Sequence, residues 1–512
     1  MRADLPYLLP ALLLNPLLYW NGYRCWFQLD DFAWLGLLHH LEEPARDLPR
    51  LLFEPMAQGT IRPLSERGFF LLFRWLFDLW GAPYHALVFA TQTVNLVLLY
   101  ALVRLLGGAR VVAGTAAVLW CSNSVLAWPL AWVSAYNQVL ISTCFLGAAV
   151  CWARGWVAGA WALLAASFGV LELAVVLPAL LLLQRWRRGL AAMFGAAVLY
   201  AAVHSAVAPK PVAGIYAVSV DARLPVTFAR YAYLAVWPEG GHDGAGALVA
   251  AAVAALLALR WRDTLVQFGV AWFFLAVSVY LVVPNHISAY YLVAPAAGLA
   301  IALAAALHAA PRWAAALLLA AWLPAQWSYS WHYTSEARRW SVAWEAIMTG
   351  TRDAARAMPH GSAIYLEGIG EELFFSGFTD SPFRLLGLHT VRITPREAAS
   401  IETRARIPSL DAYTAPPTIV RRSALAGRAA VLRLEGGRLH NITQRYLHET
   451  SGAPEATPSR IDLGDPTYAY LLGSGWHSLE NGFRWTSRRA HATVGSSAQS
   501  SAVVVRGFCA PV

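Results

Sequence analysis

The scarcity of acidic residues through the middle of this chain constrains its fold more than any other feature. Between Trp80 and Trp331 the only ones are Glu172, Asp221, Glu239, Asp243 and Asp263. Stretches such as Leu87–Leu102 and Ala245–Leu259 are almost wholly apolar. Runs of about 20 apolar residues match the hydrocarbon thickness of a bilayer, so this region reads as a set of membrane-spanning helices. The chain is 58% apolar and 13% charged, against about a quarter charged for an average soluble chain. That excludes a wholly water-soluble fold. From Ser335 onward charged residues become frequent and the long apolar runs stop. The expected organisation is a helical transmembrane domain over 1–332 and a soluble domain over 333–512.

Run length gives eleven spans, at about 5–20, 83–106, 110–127, 135–153, 155–168, 170–184, 189–208, 244–260, 264–283, 287–309 and 313–331. Arginine placement orients them by the positive-inside rule. With the amino terminus inside, the cytoplasmic connections carry Arg104 and Arg110, then Arg154, then Arg185, Arg187 and Arg188, then Arg260 and Arg262, then Arg312. The opposite connections Cys121–Ser134 and Pro284–His286 carry none. The run Trp156–Leu183 is too long for one span and short for two. A hairpin turning near Gly169 and Glu172 keeps both flanking arginine clusters inside and puts Glu172 near the external end. The first 20 residues hold one arginine before an apolar run and lack a small-residue cleavage site. They read as an uncleaved span rather than a signal peptide. Eleven spans from an inside start place the soluble domain outside.

Two external segments stand out. Asn21–Ala82 contains eight of the acidic residues that precede the soluble domain, and within it Glu66–Trp80 is amphipathic enough to lie along the membrane surface. Pro209–Asp243 contains the aromatic stretch Phe228–Trp237, suited to the same interface. The net charge of +9 is almost all arginine, Lys210 being the only lysine. Spread over loop ends and tail, the arginines report topology rather than nucleic-acid binding, and their usage fits a bacterial cytoplasmic (inner) membrane. The five cysteines include no CxxC pair, which argues against a metal or disulfide framework. Cys25 and Cys509 both lie outside the membrane, but nothing in their spacing demands a bridge.

The soluble domain opens with an expected helix, Glu336–Met358, followed by β-like runs at Ala363–Leu366, Thr390–Thr394, Ala429–Leu434 and Ala502–Val505. Gly and Pro punctuate them, as in a small mixed α/β fold. It carries no nucleophile elbow, phosphate loop or metal-ligand cluster. Asn441-Ile442-Thr443 matches a glycosylation sequon, which matters only in a eukaryotic secretory pathway.

The main chemical signal is the adjacent pair Asp30 and Asp31, about ten residues past the first span. Two neighbouring carboxylates repel, which raises the pKa of one. Such a pair serves as a general base or holds a divalent cation. The alternative is a helix N-cap ahead of Phe32-Ala33-Trp34-Leu35.

The layout resembles the GT-C glycosyltransferases, the superfamily of protein O-mannosyltransferases and lipid A aminoarabinose transferases, and uncharacterised bacterial membrane proteins related to them. Those proteins have one helix, a large external loop opening on an acidic pair, many further helices and often an external carboxy-terminal domain. The strings that carry the resemblance are Gln28-Leu29-Asp30-Asp31-Phe32; Ile61-Arg62-Pro63-Leu64-Ser65; Pro83-Tyr84-His85 with Asn95; Glu172 before Leu177-Pro178; and Pro284-Asn285-His286 with Ala289-Tyr290-Tyr291 and Pro295. They cover the membrane domain and not the tail.

The resemblance implies an inverting glycosyltransferase that moves a sugar from a polyprenyl phosphate donor to an acceptor outside the membrane. The acceptor class, whether protein, lipid or glycan, stays open. Asp30 matches the leading acidic position, the base, with Asp31 as its partner. No cofactor is certain. A divalent cation, if there is one, belongs at Asp30 and Asp31. Arg62 and Arg67 are candidate phosphate ligands, guanidinium matching phosphate geometry, or else snorkelling interfacial arginines. Trp34, Trp75, Trp80, Trp128 and Trp132 are candidates to line a groove for sugar or prenyl chain, or else form an aromatic belt. His85 either bonds substrate or anchors a helix. Glu172, ionisable within an apolar hairpin, is a functional candidate by default. Asn285, His286 and Tyr291 sit at an external mouth, as substrate contacts or as an ordinary polar loop.

Two positions depart from the family pattern. Leu171 stands where relatives often have a lysine, which removes an ion pair with Glu172. Ser134-Ala135-Tyr136-Asn137 stands where relatives often have an arginine and an acid, leaving Asn137 and Gln138 as neutral hydrogen-bonders. Both departures are compatible with altered donor choice or with lost activity. A transporter or flippase is the alternative class, yet no internal repeat is visible and the acidic pair lies in a loop rather than mid-membrane. A non-catalytic scaffold with an external partner-binding domain is the third.

Overall fold

A computed structural model describes residues 3–495 except 57–58, 209–213, 241–242, 404–406, 408, 452–458, 466–467, 469–470, 473 and 481–482. The expected strand at Ala502–Val505 and Cys509 lie outside these residues. The chain forms two compact units, Met1–Ser341 and Val342–Val512.

The first unit is helical. Four of its helices are long and apolar enough to cross a membrane, Gly81–Leu105, Val133–Arg154, Leu190–Val207 and Ala289–His308. Shorter apolar helices accompany them at Leu5–Leu18, Val157–Phe168, Glu172–Leu182, Gly244–Leu259 and Thr264–Ser278. This is the build of a multi-pass membrane protein. The tightest helix crossing joins Thr264–Ser278 to Val293–His308. A Cβ on Gly269 would come within 2.3 Å of the Gly298 carbonyl oxygen. Small residues permit such close backbone approach where no hydrophobic effect drives helices together.

Two stretches differ from the run-length reading, and a third breaks where that reading put a turn. The expected span 110–127 bends by 54° between Arg110–Ser122 and Ser124–Ala131. At the bend, the Asn123 side chain accepts from the Val125 amide at 3.1 Å and donates to the Ala235 carbonyl at 2.8 Å. The expected hairpin in 156–183 breaks at Gly169–Leu171, where the carbonyls freed by the break need partners. The Leu64 amide meets Gly169 O at 2.9 Å and Ser65 Oγ meets Val170 O at 2.6 Å. Finally, the expected span 313–331 and tail helix 336–358 form one helix, Arg312–Arg356. No Gly or Pro interrupts the sequence from Ala325 to Thr349.

The loop after the first helix contains a π-helical turn, Pro63–Gly68, that runs into Phe69–Phe77. Phe69, Phe70, Leu71 and Arg74 face inward, while Leu72, Trp75 and Leu76 are exposed.

The second unit is built on a four-stranded sheet ordered β2-β1-β3-β4, with β1 Ala363–Glu367, β2 Val391–Ile393, β3 Ala429–Glu435 and β4 Arg438–Asn441. β1 is parallel to both β2 and β3, and β4 returns antiparallel to β3. Ala363, Tyr365, Ala429 and Val431 pack against Val420, Ile442 and Tyr446 in its core. At the carboxyl end of β1, Glu367 is buried between Arg396 and Arg433, each at 2.6 Å, with Thr394 Oγ1 at 2.9 Å. A separate hairpin pairs Trp476–Glu480 with Phe483–Thr486.

Candidate active site

Leu29 is one of three non-glycine residues among those described that take a positive φ, at 54°. The left-handed region costs an L-residue about 1–2 kcal/mol, and non-glycine residues held there cluster at functional sites. This strained residue turns the chain into the helix Asp31–Leu35 and sends the two carboxylates in different directions.

Asp31 is wholly buried. One of its oxygens accepts from the Gln28 amide at 3.0 Å, the other from the Ser134 amide at 2.8 Å and Ser134 Oγ at 2.6 Å. Gln28 Nε2 also reaches the Ala131 carbonyl at 2.9 Å. Asp31 therefore ties the first loop to the Ala131–Ser134 segment. Burial, and then the neighbouring charge of Asp30, push its carboxyl up to about 8, against the three donors.

Asp30 is half-buried and stands at the N-cap position, but its side chain makes no cap bond to the helix. Its charge acts on Tyr290. The Tyr290 ring lies 5.8 Å from Trp132, 6.0 Å from Trp128 and 4.5 Å from Tyr291. Trp128 stacks on Tyr333 at 4.7 Å, and Tyr291 on Tyr280 at 4.5 Å. His286 Nε2 sits 3.2 Å from the Tyr290 hydroxyl. These rings form a continuous aromatic wall within range of the Asp30 charge.

At the other end of that wall lies a polar cluster. Arg62 donates from Nε and Nη2 to Glu172 at 3.0 and 2.9 Å, and from Nη1 to Glu66. Asn137 donates to the same Glu66 oxygen at 3.1 Å. His204 Nε2 stands 3.6 Å from the second Glu172 oxygen. Burial works against the Arg62 charge, yet Glu172 and Glu66 hold the guanidinium well above its usual range. The charges of Arg62 and Glu172 act on Tyr291, which links the cluster to the wall.

The structure thus brings together Asp30, Arg62, Asn137, Glu172, His286, Tyr291, Trp128 and Trp132. Of the other candidates, Arg67 adjoins the polar cluster, with the charges of Glu66, Arg62 and Glu172 acting on it. Arg67 is buried, donating to the Leu52 carbonyl at 3.0 Å and the Thr60 carbonyl at 2.6 Å; it shapes the loop. His85 is buried beside the backbone of Trp26 and Leu130. Asn285 is exposed and accepts from Arg223 at 2.8 Å. Trp34 is buried in the loop, whereas Trp75 and Trp80 are 72% and 65% exposed. Sequence reasoning passed over Glu66, Ser134, His204 and Tyr290. Glu66 carried a signal, four residues from Arg62 on one helical face, and so did His204, a lone histidine in an apolar helix.

Both Asp31 oxygens already accept from amide and hydroxyl donors. Among the described residues no group of three or more His, Cys, Asp or Glu is placed to hold a metal.

No family model and no curated protein sequence matches the chain. Among solved structures it is similar to the arabinofuranosyltransferase AftD from Mycobacteria, at TM-score 0.43 and 18% identity over 89% of this chain. The chain spans 38% of the length of AftD. It is also similar to ArnT from Cupriavidus metallidurans bound to undecaprenyl phosphate, at TM-score 0.45 and 11% identity over 89% of this chain and 96% of ArnT. The apo state of ArnT gives TM-score 0.44 and 11% identity over 90% of this chain and 97% of ArnT.

Proposed function

We propose that this protein is a membrane glycosyltransferase of the GT-C type. It moves a sugar from a polyprenyl phosphate to an acceptor at the outer face of a bacterial cytoplasmic membrane. Asp30 is the general base. It takes the proton of the acceptor hydroxyl or amine as that atom bonds to the anomeric carbon. The bond from anomeric carbon to phosphate oxygen breaks, and polyprenyl phosphate departs with the electron pair. A single displacement of this kind inverts the configuration. Asp31 is a positioning residue that fixes Asp30 by anchoring the turn to Ser134. Arg62, presented by Glu172 and Glu66, is assigned to the phosphate, with Asn137 and His204 supporting that cluster. Tyr290, Tyr291, Trp128 and Trp132 supply faces on which a sugar ring stacks. Arg67 shapes the loop, and the second unit lies on the acceptor side of the membrane.

The observation that carries this reading is the split within the acidic pair. Asp31 is held by backbone and serine donors, while the Asp30 charge acts on Tyr290 in the aromatic wall, and the half-buried Arg62 guanidinium acts on Tyr291 in the same wall. The test is transfer from a panel of radiolabelled polyprenyl phosphate sugars into membranes, comparing the unaltered chain with Asp30→Asn. Loss of transfer in the variant supports the assignment. Undiminished transfer removes Asp30 from the mechanism, and no transfer from any donor by the unaltered chain removes the reading.

A further inference from the structure

Four arginines meet where the helix Tyr136–Arg154 ends and the helix Leu190–Val207 begins. Arg154 lies in one connection, and Arg185, Arg187 and Arg188 in the other. Both connections adjoin helices long enough to cross a membrane. Polar contacts hold the two together at one membrane boundary. Trp152 Nε1 donates to the Arg185 carbonyl at 3.1 Å, and Gln184 Nε2 to the Ala149 carbonyl at 3.1 Å. Arg187 reaches the Ala153 carbonyl at 3.3 Å and lies over the Trp152 ring at 5.9 Å. Gly155 turns the first connection at a φ of +83°, where a Cβ would sit 3.2 Å from the Arg187 guanidinium. Exposed tryptophans flank the group, Trp156 at 60% and Trp186 at 63%.

Among the described residues, no carboxylate forms an ion pair with any of these four arginines. The only acidic residue between Asp78 and Asp221 is Glu172, and it is engaged with Arg62 and His204. Arg185 and Arg187 both donate to the Ala153 carbonyl, at 3.4 and 3.3 Å. Elsewhere Arg104 and Arg110 share Asp4, at 3.8 and 3.1 Å, and Arg260 donates to the Ala309 carbonyl.

We propose that this face binds the headgroup of an anionic phospholipid from the surrounding leaflet. Guanidinium forks match the paired oxygens of a phosphodiester. Trp156 and Trp186 sit at the headgroup level that such rings prefer. Basic groups beside spanning helices attract anionic lipid by about 1 kcal/mol each, so a cluster of four outranks the scattered arginines that set topology. The site is independent of the transfer chemistry.

The test uses the full chain in nanodiscs of phosphatidylcholine doped with phosphatidylglycerol, with native mass spectrometry of the lipids retained. The unaltered chain is expected to keep phosphatidylglycerol in preference to phosphatidylcholine. Arg185→Gln and Arg188→Gln, both exposed positions, are expected to weaken retention about fivefold each. The control, Arg110→Gln, is expected to leave retention within about twofold, since Asp4 at 3.1 Å already offsets that charge. Thermal melting checks that each variant is folded. Equal loss in the control and the test variants would overturn the proposal in favour of bulk surface charge. Equal retention of the two lipids by the unaltered chain would overturn it outright, and full displacement by inorganic phosphate would replace the lipid with free anion.

Discussion

Asp31 in the first unit and Glu367 in the second are both buried carboxylates, and they are held in opposite ways. Glu367 has two guanidinium groups and a hydroxyl. Burial would raise it, but Arg396, Arg433 and Thr394 outweigh burial and hold it below the usual carboxylate range. Asp31 accepts from two amides and a hydroxyl, with a like charge beside it, and is pushed up to about 8. A buried acid paired with arginine is a fastening. A buried acid paired with amides, next to a second acid, holds its proton to a higher pH. Strongly perturbed acids of this second kind concentrate at functional sites.

The sharpest way to break the comparison is at Asp30, which Asp31 positions. Asp30→Asn is expected to lower sugar transfer by about 10²–10⁴-fold, the usual worth of a general base, with no loss of thermal stability. If transfer survives, the first loop is a fastening too. Next comes Glu367→Gln, which leaves two arginines facing a neutral group. Breaking a buried pair costs about 3–5 kcal/mol, and limited proteolysis should show the second unit opening while the first stays protected. Arg62→Gln should destabilise the first unit on the same grounds, because Glu66 and Glu172 lose their shared cation. Arg62→Gln combined with Glu66→Gln should recover much of that loss, in a double-mutant cycle.

The pH dependence separates the two acids by sign. Asp31 binds its proton more tightly folded than unfolded, so its share of stability is present at low pH. That share is lost as pH rises from about 4 towards about 8. Glu367 runs the other way: its share is present above its unfolded pKa and lost as pH falls through the lowered folded value. Melting curves across that range should lose the first slope in Asp31→Asn and the second in Glu367→Gln. The smallest expected effect is at Leu29. Leu29→Gly removes the left-handed strain and loosens the turn. We expect melting to stay within about 1 kcal/mol while transfer slows severalfold; unchanged transfer would show that the strain does not aim Asp30.

Much of this was legible in the sequence where a single segment decides the outcome. Apolar run length found the long helices, and β-like runs punctuated by glycine and proline matched β1, β2 and β3. The acidic pair was visible as a pair, and the resemblance named Asp30 as its leading member, but the tie from Asp31 to Ser134, 103 residues away, was not visible. The bend at Asn123 was hidden for the same reason, its partner being Ala235. Glu66 and His204 became meaningful only once Arg62 and Glu172, 110 residues apart, were in contact. β4 was passed over although Gly436-Gly437, a two-residue hairpin signal, precedes it.

The long separations within the site bear on its biosynthesis. Chains are made from the amino terminus and fold as they emerge. Asp31 leaves the ribosome well before Ser134, so the contact that ties its turn cannot close until Ser134 has been made. Arg62 waits for Glu172, Glu172 for His204, and the aromatic wall for Tyr290 and Tyr291. The proposed base is therefore made well before the residues proposed to act with it.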